Sequence, residues 1–326
     1  GGDCQVLNAA IRGIGKALFE KLDHVEIFGM YGGYRGLAEN DYKFMEPKDF
    51  SGILTQGGTI LGTSRQRYIP GKDIIDENGN SLIPLMRDTY NRLNLDCLII
   101  MGGNGTQKSA KLIADAGMNV ITLPKTIDND IWGTDTTFGF QSAVDIATNV
   151  IDYIHSTACS HGRTFVVELM GRDAGWLTLH AGIASGADII LIPEIPYDIH
   201  KVAELIEQRK QDGRGFSIVA CAEGAVSVDD VKLDEEASRR KKENSLYPTV
   251  SYALAAELAR QGWAVCINYR LREDCARSLL EQLTAEGCRA MMVQADVSQQ
   301  DQVTAMVRQV EETFGPVSLL VNNAGV

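Results

Sequence analysis

The chain has 326 residues, 44% of them hydrophobic and 23% charged, with a formal net charge of −12. That length allows two domains or one large one, each with a buried core. The acidity excludes a general electrostatic pull on nucleic acid or an anionic membrane, and no apolar run approaches the ~18 residues of a membrane span.

Strand-like and helix-like stretches alternate from the start. Leu7, Ala10, Ile11, Ile14, Leu18 and Leu22 recur at three and four, which predicts a first helix. Strands are predicted at residues 24–30, 95–101, 119–123, 164–170, 188–193 and 216–222. A helix is predicted over 107–116, and Val144, Ala147, Ile151 and Ile154 mark another. This alternation implies an α/β fold: parallel sheets with helices on both faces, in Rossmann-like layers. Residues 226–248 interrupt it with acids, then Arg239, Arg240, Lys241 and Lys242. A solvated surface segment is expected there, with a basic ligand patch as the alternative.

From about residue 251 the composition changes. The first 250 residues carry 13 Lys and the last 76 carry none. Leu254 and Leu258 mark a helix stopped by Gly262, followed by a strand at 263–268. Ala276, Leu279, Leu280 and Leu283 mark a helix stopped by Gly287, followed by a strand at 290–294. Val303, Met306, Val307 and Val310 mark a third, closed by Gly315-Pro316 ahead of a strand at 317–321. Of the seven Cys, Cys97, Cys221 and Cys266 lie in apolar runs and are expected to be small buried hydrophobes. None forms a C-x-x-C pair, and no leader is read ahead of Gly1-Gly2-Asp3, so the expected setting is reducing and cytoplasmic. The five His lack metal-ligand spacing.

Three turns carry chemistry. Gly102-Gly103-Asn104-Gly105-Thr106 joins a strand to a helix, where backbone N–H groups and the helix dipole favour a phosphate. Such turns are as often purely structural, and Gly1-Gly2-Asp3 before the first helix gives a similar weak signal. Pro124-Lys125-Thr126-Ile127-Asp128-Asn129-Asp130 follows a strand, at the sheet edge where open α/β folds bind ligands. Two acids with a Lys and a Thr suit metal–phosphate chemistry and a base for a hydroxyl. Helix-capping Asp residues would explain the same spacing equally well. Met170-Gly171-Arg172 ends a third strand with a guanidinium, a strong phosphate partner.

In this order, and together with Gly33-Tyr34-Arg35-Gly36-Leu37, Gly57-Gly58-Thr59 and Gly62-Thr63-Ser64-Arg65, these segments resemble the 6-phosphofructokinase family from residue 1 to about residue 250. The resemblance implies phosphoryl transfer to fructose 6-phosphate. It gives Asp128 as the base for the sugar 1-hydroxyl, with Thr126 and Asp130 beside it, and Arg172 as the cation on the transferred group. Met170, Gly171, Glu223 and Arg163 become sugar-phosphate contacts, Arg163 across a subunit interface. Gly1, Tyr34, Arg65, Gly103, Asn104, Gly105, Thr106 and Lys125 fall on the nucleotide side, with Asn104 and Asp130 as Mg2+ positions. In this family a Gly at the Gly105 position goes with ATP and an Asp with pyrophosphate, so ATP is the expected donor. Lys125 has counterparts among users of either. A homo-oligomer is also implied.

The sequence departs from the family pattern in several places. Asn104 stands where many members have a metal-binding Asp. Gln5-Val6 replaces Pro-Gly. No strand precedes Gly1 to feed the first loop, and no His-x-Gln-Arg-Gly-Gly segment for the 6-phosphate is present. Residues 253–326 instead resemble the early part of a short-chain dehydrogenase/reductase of the 3-oxoacyl-acyl-carrier-protein reductase type. Leu258-Ala259-Arg260-Gln261-Gly262, Cys266-Ile267-Asn268-Tyr269-Arg270, Ala295-Asp296-Val297 and Asn322-Asn323-Ala324-Gly325 carry that likeness. It implies NADP contacts at Arg270, Asp296, Asn323, Ala324 and Gly325. A Gly-rich loop before Ala253 and a Tyr-x-x-x-Lys pair are both absent, so reductase chemistry is not expected and NADP binding is disfavoured. The expected organisation is a chimera, with a kinase-like region at 1–250 and a reductase-like segment at 251–326. Its last strand is expected to pair beside Gly1. A fold that keeps only nucleotide or phosphate binding and an NADP-binding module are the two alternatives to the kinase.

Overall fold

The computed structural model describes residues 6–64, 67–69, 73–231, 250–260, 262–271, 273–297, 299–317 and 319–322. Gly1, Arg65, Asn323, Ala324, Gly325 and the basic run at 239–242 lie outside them. The chain divides into two compact units, Gly1–Ala143 and Val144–Val326, so the segment from 251 belongs to the second.

The first unit runs α1 (Val6–Lys21), β1 (Ile27–Met30), α2 (Tyr34–Glu39), β2 (Tyr42–Met45), a 3-10 turn (Pro47–Phe50), β3 (Arg67–Ile69), β4 (Asp73–Ile75), α3 (Ile83–Arg92), β5 (Leu98–Gly102), α4 (Asn104–Asp115), β6 (Val120–Thr126) and β7 (Phe138–Gly139). In α1, Leu7 and Ile11 are buried four residues apart on one face. Gly15 lets that face close on the Phe50 ring, with which any Cβ would collide. Asn8, fully buried, anchors the following loop: its amide donates to the Gln56 carbonyl (3.0 Å) and its oxygen accepts from the Ile60 N–H (2.8 Å). β5, β6 and β7 pair in parallel, as the alternation predicts. β1 and β2, like β3 and β4, are antiparallel, and this departs from the expected all-parallel arrangement. The cause is local. A Cβ at Gly36 would collide with the Tyr31 carbonyl, and Asn40 adopts a left-handed backbone (φ 59), so the chain doubles back within a few residues.

The second unit runs α5 (Phe140–His161, starting just before the boundary), β8 (Thr164–Leu169), α6 (Trp176–Ala184), β9 (Ile189–Leu191), α7 (Ile199–Gln211), β10 (Ser217–Ala222), α8 (Val228–Val231), α9 (Val250–Arg260), β11 (Val265–Tyr269), α10 (Glu273–Ala285), β12 (Ala290–Gln294), α11 (Gln300–Phe314) and β13 (Leu319–Asn322). Its main sheet has the order β13-β8-β10-β9, all parallel. Every residue of β10 is buried, as expected of a strand covered on both faces. The expected neighbour of the final strand, Gly1, lies outside the described residues, so that expectation is not tested; among the described residues the strand takes the edge next to β8. Register explains this: Leu319 to Asn322 match Thr164 to Val167 in parallel along an apolar strand. β11 and β12 form a separate parallel pair. Gly262, Gly287 and Gly315 carry positive φ past the ends of α9, α10 and α11, where L-residues with a Cβ are strained.

Helix α9 serves two cores. Leu254 and Leu258 pack with Val166, Val219 and Cys221 of the main sheet. Ala256 and Ala259 pack with Ile267, Leu279 and Leu283 of the tail. Cys221 is buried as expected, and burial pushes its thiol up to about 12. Cys97, just ahead of β5, and Cys266, in β11, are only half-buried. No helix among the described residues is long and apolar enough to cross a membrane.

Candidate active site

In the first unit, β5 and β6 end side by side, Gly102 opposite Pro124. The two phosphate-type turns are therefore neighbours. Gln107 bridges the strand ends, its amide donating to the carbonyls of Gly102 (2.9 Å) and Leu123 (3.1 Å). Helix α4 starts at Asn104 without a side-chain cap on Gly103 and without an acid in its first turn, so its first N–H groups stay available to an anion. Gly102 is required by packing, since a Cβ would collide with the Thr106 side chain. Gly105 is not required, for a Cβ there would meet nothing within 4 Å. Tyr34 donates its hydroxyl to the Thr106 carbonyl at 2.8 Å, and burial pushes its ionisation well above the usual phenol range.

The neighbouring turn is internally braced. The Asp128 N–H donates to Thr126 Oγ1, and that hydroxyl donates to Asp128 Oδ2, both at 3.1 Å. Asn129 takes a left-handed backbone (φ 54) and accepts from the Thr137 N–H at 2.9 Å. Thr137 in turn donates to the Thr126 carbonyl at 2.8 Å. Asn104 Nδ2 reaches Asp130 Oδ2 at 3.0 Å, which joins the two turns. Lys125 is buried at 7% exposure. Asn104, Gly103, Gly105, Thr106, Lys125, Thr126, Asp128 and Asp130 thus converge on one sheet edge.

In the second unit, β8 and β10 also end together, Leu169 opposite Ala222. Glu223 Oε1 accepts from the N–H groups of Gly171 (3.0 Å) and Arg172 (2.6 Å). Arg172 is held in a left-handed conformation (φ 53), which costs a non-glycine residue about 1 kcal/mol. Charge-assisted bonds from two amides offset that cost. A Cβ on Gly171 would collide with the Ala174 carbonyl, and one on Gly224 with the Arg172 carbonyl. The Arg172 guanidinium is exposed beside Asp173 at 3.2 Å, and Met170 is 61% exposed. Met170, Gly171, Arg172 and Glu223 therefore form one braced loop. Glu194, which the sequence reading missed, fixes its far end by accepting from the Gly175 N–H at 2.9 Å.

Arg163, which the resemblance gives as a sugar-phosphate contact across a subunit interface, makes an ion pair within this chain. Its guanidinium pairs with Glu311 of α11 at 3.3 Å and is largely covered. Arg270 and Asp296, both assigned to NADP, lie 3.6 Å apart and pair with each other. Among the described residues, no group of three or more His, Cys, Asp or Glu could hold a metal ion.

The Phosphofructokinase family matches residues 1–275 of this chain. The short chain dehydrogenase family matches residues 249–326, overlapping the first match. An ATP-dependent 6-phosphofructokinase of Spirochaeta thermophila is 53% identical over 259 residues, covering 78% of this chain and 70% of that protein. One from Propionibacterium freudenreichii subsp. shermanii is 53% identical over 225 residues, covering 69% and 60%. The matched stretch of this chain is thus shorter than either relative. The phosphofructokinase structure from Saccharomyces cerevisiae superposes with a TM-score of 0.60 at 27% identity, over 95% of this chain and 40% of that one. A pyrophosphate-dependent phosphofructokinase from Marinobacter aquaeolei gives the same TM-score at 19% identity, a likeness of fold alone.

Proposed function

Because this chain belongs to the phosphofructokinase family, we propose that it transfers the terminal phosphoryl group of ATP to fructose 6-phosphate. The observation that carries this reading is the convergence at one sheet edge of an uncapped helix N-terminus and the braced Thr126–Asp128 pair. Asp128 accepts the proton of the sugar 1-hydroxyl. That oxygen forms the new P–O bond while the bond to the ADP oxygen breaks. Thr126 orients the Asp128 carboxylate through its hydroxyl. Gly103, Gly105 and Thr106 receive the nucleotide phosphates, with Tyr34 supporting the turn and Lys125 and Asp130 beside it. In the second unit, Arg172 neutralises charge on the transferred group, and Met170, Gly171 and Glu223 hold the sugar phosphate. Positioning and charge stabilisation carry such reactions. Gly1 and Arg65 keep the nucleotide-side roles that the resemblance implies.

Family membership implies ATP and Mg2+ use. The donor set fits an ion carried by the phosphates: Asp130 offers one carboxylate, Asn104 one neutral amide, and Mg2+ commonly completes its shell with phosphate oxygens and water. When bound, the ion supplies positive charge to the phosphates.

We further assign residues 1–250 to a kinase-type part and 251–326 to a reductase-type part, a chimera joined in α9. A second reading, phosphate binding without turnover, is favoured by one observation, the diversion of Arg163 to Glu311. The mutual pairing of Arg270 and Asp296 weighs against NADP.

The test is ADP release dependent on fructose 6-phosphate, compared with Asp128→Ala. Removing a general base should lower the rate by about 10²–10⁴, with the melting temperature little changed. An equal rate in both proteins overturns the reading, and a folded wild type with no turnover favours the second one.

A further inference from the structure

Residues 126–128 leave the end of β6, and their shape is set from further along the chain, by Thr137. That residue is 3% exposed and directs both of its donors at the segment. Its hydroxyl donates to the Thr126 carbonyl at 2.8 Å, and its N–H donates to Asn129 Oδ1 at 2.9 Å. Asn129 Nδ2 in turn donates to the Asp135 carbonyl at 3.2 Å. Asp128 is therefore bracketed. Thr126 before it and Asn129 after it are both fastened to one buried residue.

Thr137 is itself fixed. It directly precedes β7, where Phe138 and Gly139 pair with Lys125 and Thr126, and its carbonyl accepts from the Phe140 N–H at 3.3 Å. The loop it closes is not held by packing at its tip, since Trp132 is 97% exposed and the next residue, Gly133, turns the chain at φ 78. The base of the loop has to hold what its tip does not. Asn129 suits that place. It tolerates the left-handed backbone it adopts (φ 54), and its amide supplies an acceptor and a donor on one side chain.

The consequence falls on the Asp128 carboxylate. Thr126 Oγ1 donates to Asp128 Oδ2 and accepts from the Asp128 N–H, both at 3.1 Å. A movement of the Thr126 backbone carries that hydroxyl with it and turns the carboxylate. We propose that Thr137 and Asn129 are positioning residues for phosphoryl transfer: without touching substrate, they clasp the backbone on both sides of Asp128 and hold its carboxylate in the orientation that takes the sugar proton. The inference rests on the proposed role of Asp128 as the base. It places the effect on kcat, because the geometry at the reacting proton changes while the groups that bind nucleotide and sugar phosphate do not.

The experiment uses the full chain with Thr137→Val, which keeps the side chain's shape and removes its hydroxyl, and Thr137→Ser, which restores the hydroxyl. Thr137→Val should lower kcat by about 10–10²-fold, the scale of a small misplacement of a reacting group. The KM values for ATP and fructose 6-phosphate should stay constant, and Thr137→Ser should recover most of the rate. Thr137 is buried, so Asn129→Gly serves as a second variant. Glycine takes the same backbone conformation without strain and removes both side-chain bonds, and the same split is expected. The double variant Asp128→Ala/Thr137→Val separates positioning from a general structural role. Its rate should equal that of Asp128→Ala, since residues that act through one carboxylate are not additive. A further drop as large as that of Thr137→Val alone overturns the proposal, and so does a full kcat in both clasp variants. Asp128→Ala at the wild-type rate overturns the base and this inference with it, whereas failure of the clasp alone leaves Asp128→Ala slow. Amide exchange followed by NMR reads the clasp without turnover. In Asn129→Gly the Asp128 and Thr137 N–H groups should exchange about tenfold faster, the upper range for one hydrogen bond, while amides of β5 keep their rates. An unchanged Asp128 amide overturns the proposal whatever the activity.

Discussion

Gly105 is the residue whose identity the fold explains least. It lies in the first turn of α4, its φ is not positive, and a Cβ would enter open space. Glycine within a helix costs up to about 1 kcal/mol relative to alanine, so nothing in packing or backbone geometry favours it here. The space beside it is explained if a phosphate-bearing donor approaches that turn. Gly105→Asp should therefore separate stability from activity. The carboxylate gains about 0.3–1 kcal/mol from the helix N-terminus, and the melting temperature should rise slightly. ATP-dependent turnover should fall below detection, because the side chain fills and charges the phosphate position. Unchanged ATP kinetics in Gly105→Asp would refute the steric reading of the donor. Gly102 offers the contrast. Its Cβ would strike Thr106, so Gly102→Ala should lose stability and activity together.

At the scale of elements, α11 reaches back to the residue just ahead of β8 through the Glu311–Arg163 pair. The pair is partly exposed, and such pairs contribute at most about 1 kcal/mol. Glu311→Gln should barely change stability. It releases the Arg163 guanidinium, so the KM for fructose 6-phosphate should fall while kcat stays constant. A KM that does not move would show that Arg163 has no sugar-phosphate role in this chain. No local pattern announces this contact, since the two residues are 148 positions apart. The same limit explains what else the sequence left unread. The turns at 102–106 and 124–130 were legible because strand, glycine-rich turn and helix follow one another within a few residues. The periodicity of Leu7, Ile11 and Ile14 was legible for the same reason. The antiparallel reversal of β1 and β2 was not, because it depends on the missing Cβ of Gly36 beside Tyr31. Asn8 and Glu194 were missed because a lone polar residue in a helix or loop gives no sign of the distant amide it will satisfy. The pairing of β13 with β8 was not legible because apolar strands resemble one another, and register against β8 is set only in three dimensions.

At the scale of the molecule, α9 decides whether the segment from 251 is an appendage or part of the second unit. Its leucines close the core of the main sheet, and its alanines close the core formed by β11, α10 and β12. The composition shift near residue 251 therefore does not coincide with a break in packing. A helix with two buried faces transmits strain from either side, since close-packed interiors yield little. Leu258→Ala removes a side chain at 0% exposure, and a change of that kind costs about 2–5 kcal/mol. If α9 couples the cores, native-state hydrogen exchange should show protection falling together in β8, β10, β11 and β12. Leu283→Ala, also at 0% exposure and facing only the tail core, should then lower protection in β8 and β10 as well. Loss confined to β11 and β12 in Leu283→Ala would mean that the tail opens independently and that α9 stays docked on the sheet without it. Loss in all four strands in both variants would mean that the second unit opens as one cooperative body, in which the tail is required for the loop at Arg172 to keep its shape.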